Sequence, residues 1–215
     1  MKILALSDTH SRHNDIYLSS YTNIDLIVFA GDWTGSVRGE KENTKDFLRW
    51  FSNLSSTYKI LIAGNHELKV EDDPEYLLEA LTPYPNIIYL QDTSVTIEGI
   101  KFHGSPYANN FYDWAFMTEE NELSKIWDKI PENTQVLITH GPAYGHLDTV
   151  VRNNTSVGSK TLTNRKKHLT DLKLHICGHI HEASGILEVD NHTVINASQL
   201  NEHYKLVNKP IEITV

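Results

Sequence analysis

Residues 58–67, Tyr-Lys-Ile-Leu-Ile-Ala-Gly-Asn-His-Glu, form the stretch from which the fold can be worked out. The apolar, β-branched residues up to position 63 predict a buried strand, and Gly64 predicts a tight turn directly after it. In α/β proteins the carboxyl ends of parallel strands are where chemistry is placed. Here the turn offers an amide, an imidazole and a carboxylate in succession, at Asn65, His66 and Glu67.

Four other apolar runs stop at aspartate or histidine in the same way. Runs this uniformly apolar indicate strands that are covered on both faces, as in a parallel α/β core. Any one polar residue after a strand is most simply a turn or cap residue. Five strand ends of this kind together predict a metal site. The polar residues at the five ends are Asp8, His10, Asp32, Asn65, His66, His140, His179 and His181.

The donor types and their spacing favour a dinuclear site. Residues two apart in an extended segment point to the same side, so Asp8 with His10, and His179 with His181, can each supply two ligands. Oxygen and nitrogen donors without a thiolate suit manganese, iron or zinc. We therefore expect two divalent or trivalent transition-metal ions as cofactors, with manganese favoured.

Composition limits the kind of protein this can be. The chain has 215 residues, 28 acidic against 19 basic, and a net charge of −9. Because nucleic acids and anionic membranes need a basic face, neither extended nucleic-acid binding nor membrane binding is expected. The first residues do not show the pattern of a secretory leader, no run of roughly 18 apolar residues is present, and Cys177 is the only cysteine. From these features we expect a cytoplasmic protein. Residues 1–215 read as one domain, and the oligomeric state stays open.

Other segments give weaker predictions of secondary structure. A helix capped by Asn43 or Thr44 is expected to run to about residue 54, and two more helices are expected over 74–81 and 118–130. A short crossover helix is expected within 14–23. The stretch 150–170 predicts one helix and a flap, with Arg165, Lys166 and Lys167 on a solvated face. Strands are expected at 2–6, 87–90, 95–97, 100–103, 185–189, 193–195, 204–207 and 211–215. Turns are expected at Glu98-Gly99 and Asp190-Asn191.

At this point the ordered motifs resemble a known family. Asp8-x-His10, Gly31-Asp32, Gly64-Asn65-His66-Glu67, His140 and Gly178-His179-x-His181 are similar to the calcineurin-like metallophosphoesterase pattern over residues 2 to about 200. Flanking residues, such as those of 7–12 and 195–198, resemble the small brain-type metallophosphodiesterase group. The resemblance implies an α/β fold of two packed mixed β-sheets flanked by helices, a four-layer α/β sandwich.

The resemblance also implies a role for each residue. Asp8, His10, Asp32 and His181 would hold one ion, and the bridging Asp32 with Asn65, His140 and His179 would hold the second. His66 would protonate the leaving oxygen while hydroxide, formed from a water between the two ions, attacks phosphorus in line. The implied catalytic residues are therefore His66 and Asp32.

The substrate predicted from the sequence is a small phosphodiester, with cyclic nucleotides as one class. Protein phosphatases of the superfamily follow Gly-Asp with an arginine that grips a dianionic monoester, and Gly31-Asp32 is followed by Trp33-Thr34-Gly35-Ser36 instead. Arg12, His13, Asn109 and His146 are candidates for substrate binding, and Arg38 is a weaker one. A nuclease, a phosphomonoesterase and a non-catalytic metal-binding scaffold remain as alternatives.

Overall fold

Two mixed sheets form the centre of the fold in the computed structural model, which describes residues 1–35, 40–189 and 191–215. The first sheet contains β1 Lys2–Leu6, β2 Leu26–Ala30, β3 Tyr58–Ile62, β4 Ile87–Tyr89 and β15 Ile211–Thr214. Its order is β15-β1-β2-β3-β4. Strands β1 to β4 are parallel to one another, and β15 is antiparallel to β1 at one edge.

The second sheet has six strands. They are β5 Thr93–Ile97, β6 Ile100–Ser105, β9 Val136–Thr139, β12 Leu174–Cys177, β13 Gly185–Val189 and β14 His192–Asn196. Its order is β13-β14-β12-β9-β6-β5. The four strands in the middle are parallel, and antiparallel hairpins add the two edge strands.

Five helices, two single turns of 3₁₀ helix and two short ribbons complete the described residues. The helices are α1 Glu40–Ser52, α2 Leu68–Asp72, α3 Pro74–Leu81, α4 Glu120–Trp127 and α5 Lys160–Lys166. The 3₁₀ turns are His13–Asp15 and His181–Ala183. The ribbons pair β7 Ala108–Asn109 with β8 Met117–Thr118, and β10 Thr149–Val150 with β11 Thr155–Ser156.

Alternation of side chains along the strands divides the core into layers. Ile3, Val28 and Ile60 of the first sheet pack with Phe102 and Ile138 of the second, between the two sheets. The neighbouring residues of the first sheet face the opposite way, against the aromatic side of α1. Leu137 likewise packs with α4 and α5 on the outer face of the second sheet. The predicted arrangement of two packed mixed sheets between helices is confirmed.

Several expected elements differ in the structure. The segment 14–23 contains no crossover helix beyond the single turn that ends at Asp15. Asn43 and Thr44 lie inside α1, which begins earlier, so neither caps it; the buried Thr44 hydroxyl instead accepts the Trp33 indole N–H at 3.1 Å. The helix expected over 118–130 is shorter because Thr118 pairs with Asn109 in the ribbon of β7 and β8.

The C-terminal region differs as well. The strand expected over 204–207 is absent: residues 201–205 form a tight turn, closed by an isolated bridge between Leu200 and Leu206. β15 does not extend the second sheet. It pairs with β1 at the edge of the first sheet. The turn expected at 190–191 includes Asp190, which lies outside the described residues. Within 1–35, 40–189 and 191–215, no helix combines the length and the apolar character needed to cross a membrane.

Candidate metal centre

The carboxyl ends of β1, β2 and β3 meet those of β9 and β12 at one edge of the two sheets. Backbone hydrogen bonds tie the loops after the strands to one another: Asp8 N–H donates to Gly31 O at 2.9 Å, and Gly178 N–H to His140 O at 3.0 Å. All eight polar residues expected at the site are brought together here. Seven are buried, and His179 is half-buried.

The backbone is strained where it delivers these side chains. Asp8, His10, Asp32 and His179 have φ values of 53°, 42°, 60° and 68°. The left-handed region is unfavourable for residues with a Cβ, and such strain concentrates at functional sites, where the surrounding structure must enforce it. The turns after β1, β2 and β12 therefore hold conformations that orient side chains at a cost in backbone energy.

Gly64 permits the closest approach in the centre. A Cβ at this position would lie 2.6 Å from His140 Cε1 and 2.7 Å from Asp32 N, and it would also collide with Asp32 Oδ1. Any larger residue would therefore push β3 away from the two side chains that its own turn must meet. This is the physical reason for glycine directly before Asn65.

The carboxylates are fixed by neutral donors. Asp8 accepts hydrogen bonds from His179 N–H at 3.0 Å and from the Ser198 hydroxyl at 2.7 Å. Asp32 Oδ1 accepts the His66 N–H at 2.8 Å. Among the described residues, no lysine or arginine forms a hydrogen bond or ion pair with either carboxylate. These two buried charges are left to histidines and to whatever cation enters the site.

Glu67 connects the turn after β2, which contains Asp32, with the turn after β3. It is fully buried, and its carboxylate accepts Asp32 N–H at 2.9 Å, Gly64 N–H at 2.7 Å and Thr34 N–H at 3.0 Å. Burial and the charge of Asp32 raise the pKa of Glu67 to about 8. The sequence pattern included Glu67 but gave it no role, because its partners come from another strand end.

Three histidines are oriented by backbone carbonyls. Nδ1 of His10, His140 and His181 lies 3.0, 2.9 and 3.1 Å from the carbonyl oxygens of Thr34, Ala30 and Asn201. A carbonyl only accepts, so each Nδ1 must carry the proton, and in the neutral ring Nε2 then presents a lone pair. Metal-binding histidines are held by such outer hydrogen bonds.

The lone pairs that result face one another. His10 Nε2 lies 3.0 Å from His181 Nε2, and His140 Nε2 lies 2.8 Å from Asn65 Oδ1. Two acceptors at such distances are stable only when a proton or a cation sits between or beside them. Together with two buried carboxylates, this donor set fits metal ions.

The pKa values of the carboxylates and histidines show how charge is distributed in the centre. Burial opposes ionisation of Asp32 and Asp8, but the histidines around them outweigh it and hold both pKa values well below the usual range. Burial would lower the pKa of His140, yet the charge of Asp32 raises it to about 10. Burial, then the charge of His140, lowers the pKa of His179 to about 3. Positive charge in this centre therefore concentrates next to Asp32.

The candidate ligands form three clusters, and within each cluster the ligand atoms lie within 4.8 Å of one another. Asp32 belongs to two of them. The clusters are Asp8, His10 and His181; His10, Asp32 and His66; and Asp32, His140 and His179. Asn65 adjoins the third cluster through His140. The first and third correspond to the two ligand sets implied by the sequence, and the second brings His66 to the same aspartate.

The imidazole ring of His66 lies between the rings of His10 and Trp114. Its ring centroid is 4.3 Å from that of His10 and 4.4 Å from that of Trp114, which is half-buried. Its Nε2 is 3.9 Å from Asp32 Oδ2. Sequence reasoning did not connect Trp114 with His66. The indole limits the positions the imidazole can take.

The four candidate substrate-binding residues lie in different surroundings. Arg12 contacts the Asp15 carboxylate and the Tyr204 carbonyl, both at 3.2 Å. The structure does not bring His13 to the centre; its ring is buried, 3.0 Å from Asp46 Oδ2, and packs against Phe47 and Trp50.

The remaining two are also engaged away from the eight centre residues. Asn109 donates to Glu120 at 3.0 Å, and His146 Nδ1 lies 2.9 Å from Lys166 Nζ. Arg38 lies outside the described residues. Sequence reasoning missed Tyr204, whose ring centroid is 5.0 Å from that of His10 and 5.1 Å from that of His181.

Fold and site together define a metallophosphoesterase-type protein, and comparison with known proteins agrees. Residues 1–183 match the calcineurin-like phosphoesterase family, and the chain belongs to that family. The resemblance predicted from the sequence is confirmed. Members of this family are metal-dependent phosphoester hydrolases.

Relatives and solved structures extend the match. The chain is 35% identical over 233 residues to human "Metallophosphoesterase domain-containing protein 1", covering 99% of this chain and 70% of that protein. It is 30% identical over 222 residues to a UPF0046 protein of Caenorhabditis elegans, covering 98% and 74%. A crystal structure of a Thermus thermophilus protein superposes with a TM-score of 0.66 at 13% identity, over 91% of this chain and 88% of that one, which shows the shared fold.

Proposed function

We propose that this chain is a dinuclear-metal-dependent phosphodiesterase that hydrolyses a small phosphodiester, with cyclic nucleotides as one class of substrate. The supporting observation is the position of Asp32. Its carboxylate belongs to two ligand clusters at once and lies between inward-facing histidine nitrogens. A carboxylate placed in this way can bridge two cations, which is the arrangement of two-metal phosphoryl-transfer sites.

The clusters support the two ligand sets that the family resemblance implies. Asp8, His10, Asp32 and His181 would hold one ion, and Asp32, Asn65, His140 and His179 the other. When bound, two such ions supply charge stabilisation to phosphoryl oxygens and activate a water for attack. Manganese is the proposed metal because the donors are oxygen and imidazole nitrogen, and iron or zinc would suit the same set.

His66 is proposed as the general acid. Its main chain is fixed by donation to Asp32 Oδ1 at 2.8 Å and by acceptance from the Thr34 hydroxyl at 2.8 Å. The ring is thus aimed from a rigid turn at the aspartate shared by both ligand sets. As water forms the new P–O bond and the bond to the leaving oxygen breaks, the His66 ring gives its proton to that oxygen.

Preference for a diester is supported by Trp33 and Thr34, the two residues after Asp32, because both are buried in contacts with the protein and neither carries a positive charge. The Trp33 ring is fully buried and stacks on Phe47, with centroids 5.2 Å apart. The buried Thr34 contacts Glu67 and the His66 carbonyl. Neither position presents a cation to substrate. A monoanionic diester needs less positive charge than a dianionic monoester, which fits such a site.

The composition of the chain supports the proposed substrate size and compartment. With a net charge of −9 the chain suits a small substrate better than a long nucleic acid. Its one cysteine, Cys177, is free and buried, which agrees with a reducing compartment, and we propose the cytoplasm. Retention of His66 beside a full ligand set favours an enzyme over a metal-binding scaffold.

Hydrolysis of bis(p-nitrophenyl) phosphate against p-nitrophenyl phosphate tests the proposal. The protein is stripped of metal, and Mn²⁺, Fe²⁺ or Zn²⁺ is then added back, with metal content measured beside the rate. Metal-dependent hydrolysis with the diester preferred is the expected outcome. Preference for the monoester would refute the substrate class. No hydrolysis with two ions bound would refute catalysis and favour the scaffold.

A further inference from the structure

Tyr204 stands next to the metal centre on a turn that the family match over residues 1–183 does not include. Its φ is 56°, a conformation that is unusual for a bulky side chain and costs energy. A strained aromatic residue against two candidate metal ligands calls for an explanation, because a relaxed loop could pass this point without the cost.

The turn is built around Asn201. Its side-chain oxygen accepts the N–H groups of His203 and Lys205, both at 3.0 Å. Its carbonyl accepts Tyr204 N–H at 2.8 Å and also lies 3.1 Å from His181 Nδ1. The residue that orients His181 therefore also fixes the conformation of Tyr204, so this turn and the centre are one unit.

Arg12 holds the turn from the other side. Its guanidinium donates to the Tyr204 carbonyl at 3.2 Å and is paired with Asp15. The guanidinium is thus engaged with the backbone that carries Tyr204. The sequence suggested Arg12 as a direct substrate contact, and its position in the structure suits support of Tyr204 better.

The Tyr204 ring meets both His10 and His181 edge to face, yet 51% of the residue is exposed. A ring present only to brace the two histidines would be covered by other side chains. Half of it instead faces the solvent from which a substrate must arrive. A tyrosine hydroxyl can donate a hydrogen bond to an oxygen of a ligand.

We propose that Tyr204 contacts substrate, its hydroxyl donating a hydrogen bond to a phosphoryl oxygen on the side of Asp8, His10 and His181, with Arg12 as the residue that positions it. This inference rests on the proposed function and sharpens it. A neutral donor adds no positive charge to the site, which suits a monoanionic phosphodiester better than a dianionic monoester.

The test compares Tyr204→Phe with wild type and with Tyr17→Phe, a control at a residue that is 76% exposed. Three quantities are measured on the Mn²⁺-loaded protein: metal stoichiometry, the dissociation constant of inorganic phosphate, and kcat/KM for bis(p-nitrophenyl) phosphate. Loss of one hydrogen bond to a charged group corresponds to roughly a tenfold or greater effect. We expect Tyr204→Phe to weaken phosphate binding and lower kcat/KM by about this factor with two ions still bound, and Tyr17→Phe to change neither.

Unchanged phosphate affinity in Tyr204→Phe would overturn the inference. So would a fall in metal stoichiometry that accounts for the loss, because Tyr204 would then only brace His10 and His181. If wild type binds phosphate but hydrolyses no ester, the proposed function fails, while the phosphate measurement still decides the role of Tyr204.

The positioning role of Arg12 is tested by a double-mutant cycle. Arg12→Gln alone is expected to weaken phosphate binding less than Tyr204→Phe does. Because Arg12 acts through Tyr204, the double variant should bind phosphate no more weakly than Tyr204→Phe alone. Additive losses would show instead that Arg12 contacts phosphate directly.

Discussion

The metal centre and a second buried cluster both gather histidines, but they balance charge in opposite ways. The second, here named the Lys166 cluster, comprises Lys166, His146, His175, His192 and Cys177. Lys166 Nζ lies 2.9 Å from His146 Nδ1 and 3.1 Å from His175 Nδ1. The chain therefore supplies its own hydrogen-bond donor to this cluster, whereas the metal centre has two buried carboxylates and no lysine or arginine among their described partners.

Hydrogen-bond direction in the Lys166 cluster follows from Thr139. The Thr139 hydroxyl donates to Gly141 O at 2.6 Å, so it must accept from His175 Nε2 at 2.8 Å. His175 Nδ1 is then an acceptor, and the Lys166 amine donates to it. In the metal centre the fixed tautomers have the opposite result, because the Nε2 atoms of His10 and His181 face each other and, among the described residues, neither accepts a hydrogen bond from a lysine or arginine.

The comparison shows why a count of histidines does not predict a metal site. In both clusters imidazoles lie close together, and in the Lys166 cluster His175 is fully buried while His146 and His192 are half-buried. What differs is whether carboxylates accompany them and whether their inward nitrogens already have a donor. Buried anions without a paired cation are costly, so the metal centre is completed by cations from solution.

Removal of the shared carboxylate should have the largest effect. Asp32→Asn deletes the one charge common to both ligand sets, so we expect loss of bound metal and a fall in kcat of roughly 10³-fold or more, equivalent to several kcal/mol of transition-state stabilisation. Metal content and diester hydrolysis measure it. Asp171→Asn, at an exposed aspartate away from the centre, is the matched control. A variant that keeps two ions and near wild-type activity would remove the distinction between the two clusters.

His66→Ala should separate chemistry from metal binding inside the centre. General-acid assistance contributes about 10²–10⁴-fold, and His66 is placed between His10 and Trp114 with its ring outside the two proposed ligand sets. We expect kcat to fall within that range while both ions stay bound. His168→Ala, at an exposed histidine, serves as the control. Loss of metal in His66→Ala would make His66 a ligand.

Much of the fold and the positions of the candidate ligands could be predicted from the sequence for one physical reason. Each parallel strand is a short apolar run, and the run stops where its carboxyl end reaches the edge of the sheet. Predicted and observed bounds coincide for Lys2–Leu6 and Pro74–Leu81. Glu98 and Gly99 form the predicted two-residue hairpin turn, both with positive φ.

What escaped prediction depends on side-chain contacts that the pattern of apolar and polar residues does not encode. Tyr204 was expected to begin a strand, but the Asn201 side chain folds the chain into a turn instead. Lys166 was expected on a solvated face together with Arg165 and Lys167. It is in fact buried, because α5 packs on α4 and turns its last residue inward, whereas Lys167 is exposed as expected. No local pattern distinguishes these two neighbouring lysines.

The Lys166 cluster gives the smallest predicted effect, on stability. Burial lowers the pKa of Lys166 to about 7, against about 10.4 for an exposed lysine. Between these values the unfolded chain binds a proton that the folded chain does not, so the free energy of unfolding should rise as pH increases from about 7 towards 10. Below pH 7 the penalty for charging the buried amine is fully present.

Lys166→Met removes this titration, with Lys167→Met as the control at the exposed neighbour. We expect the gain in the free energy of unfolding between pH 7 and pH 9.5, measured by urea denaturation of the metal-stripped protein, to be smaller in Lys166→Met by about 1–3 kcal/mol. Lys167→Met should retain the wild-type gain. Equal gains in all three proteins would mean that Lys166 titrates as an ordinary lysine, and the charge balance proposed for its cluster would be wrong.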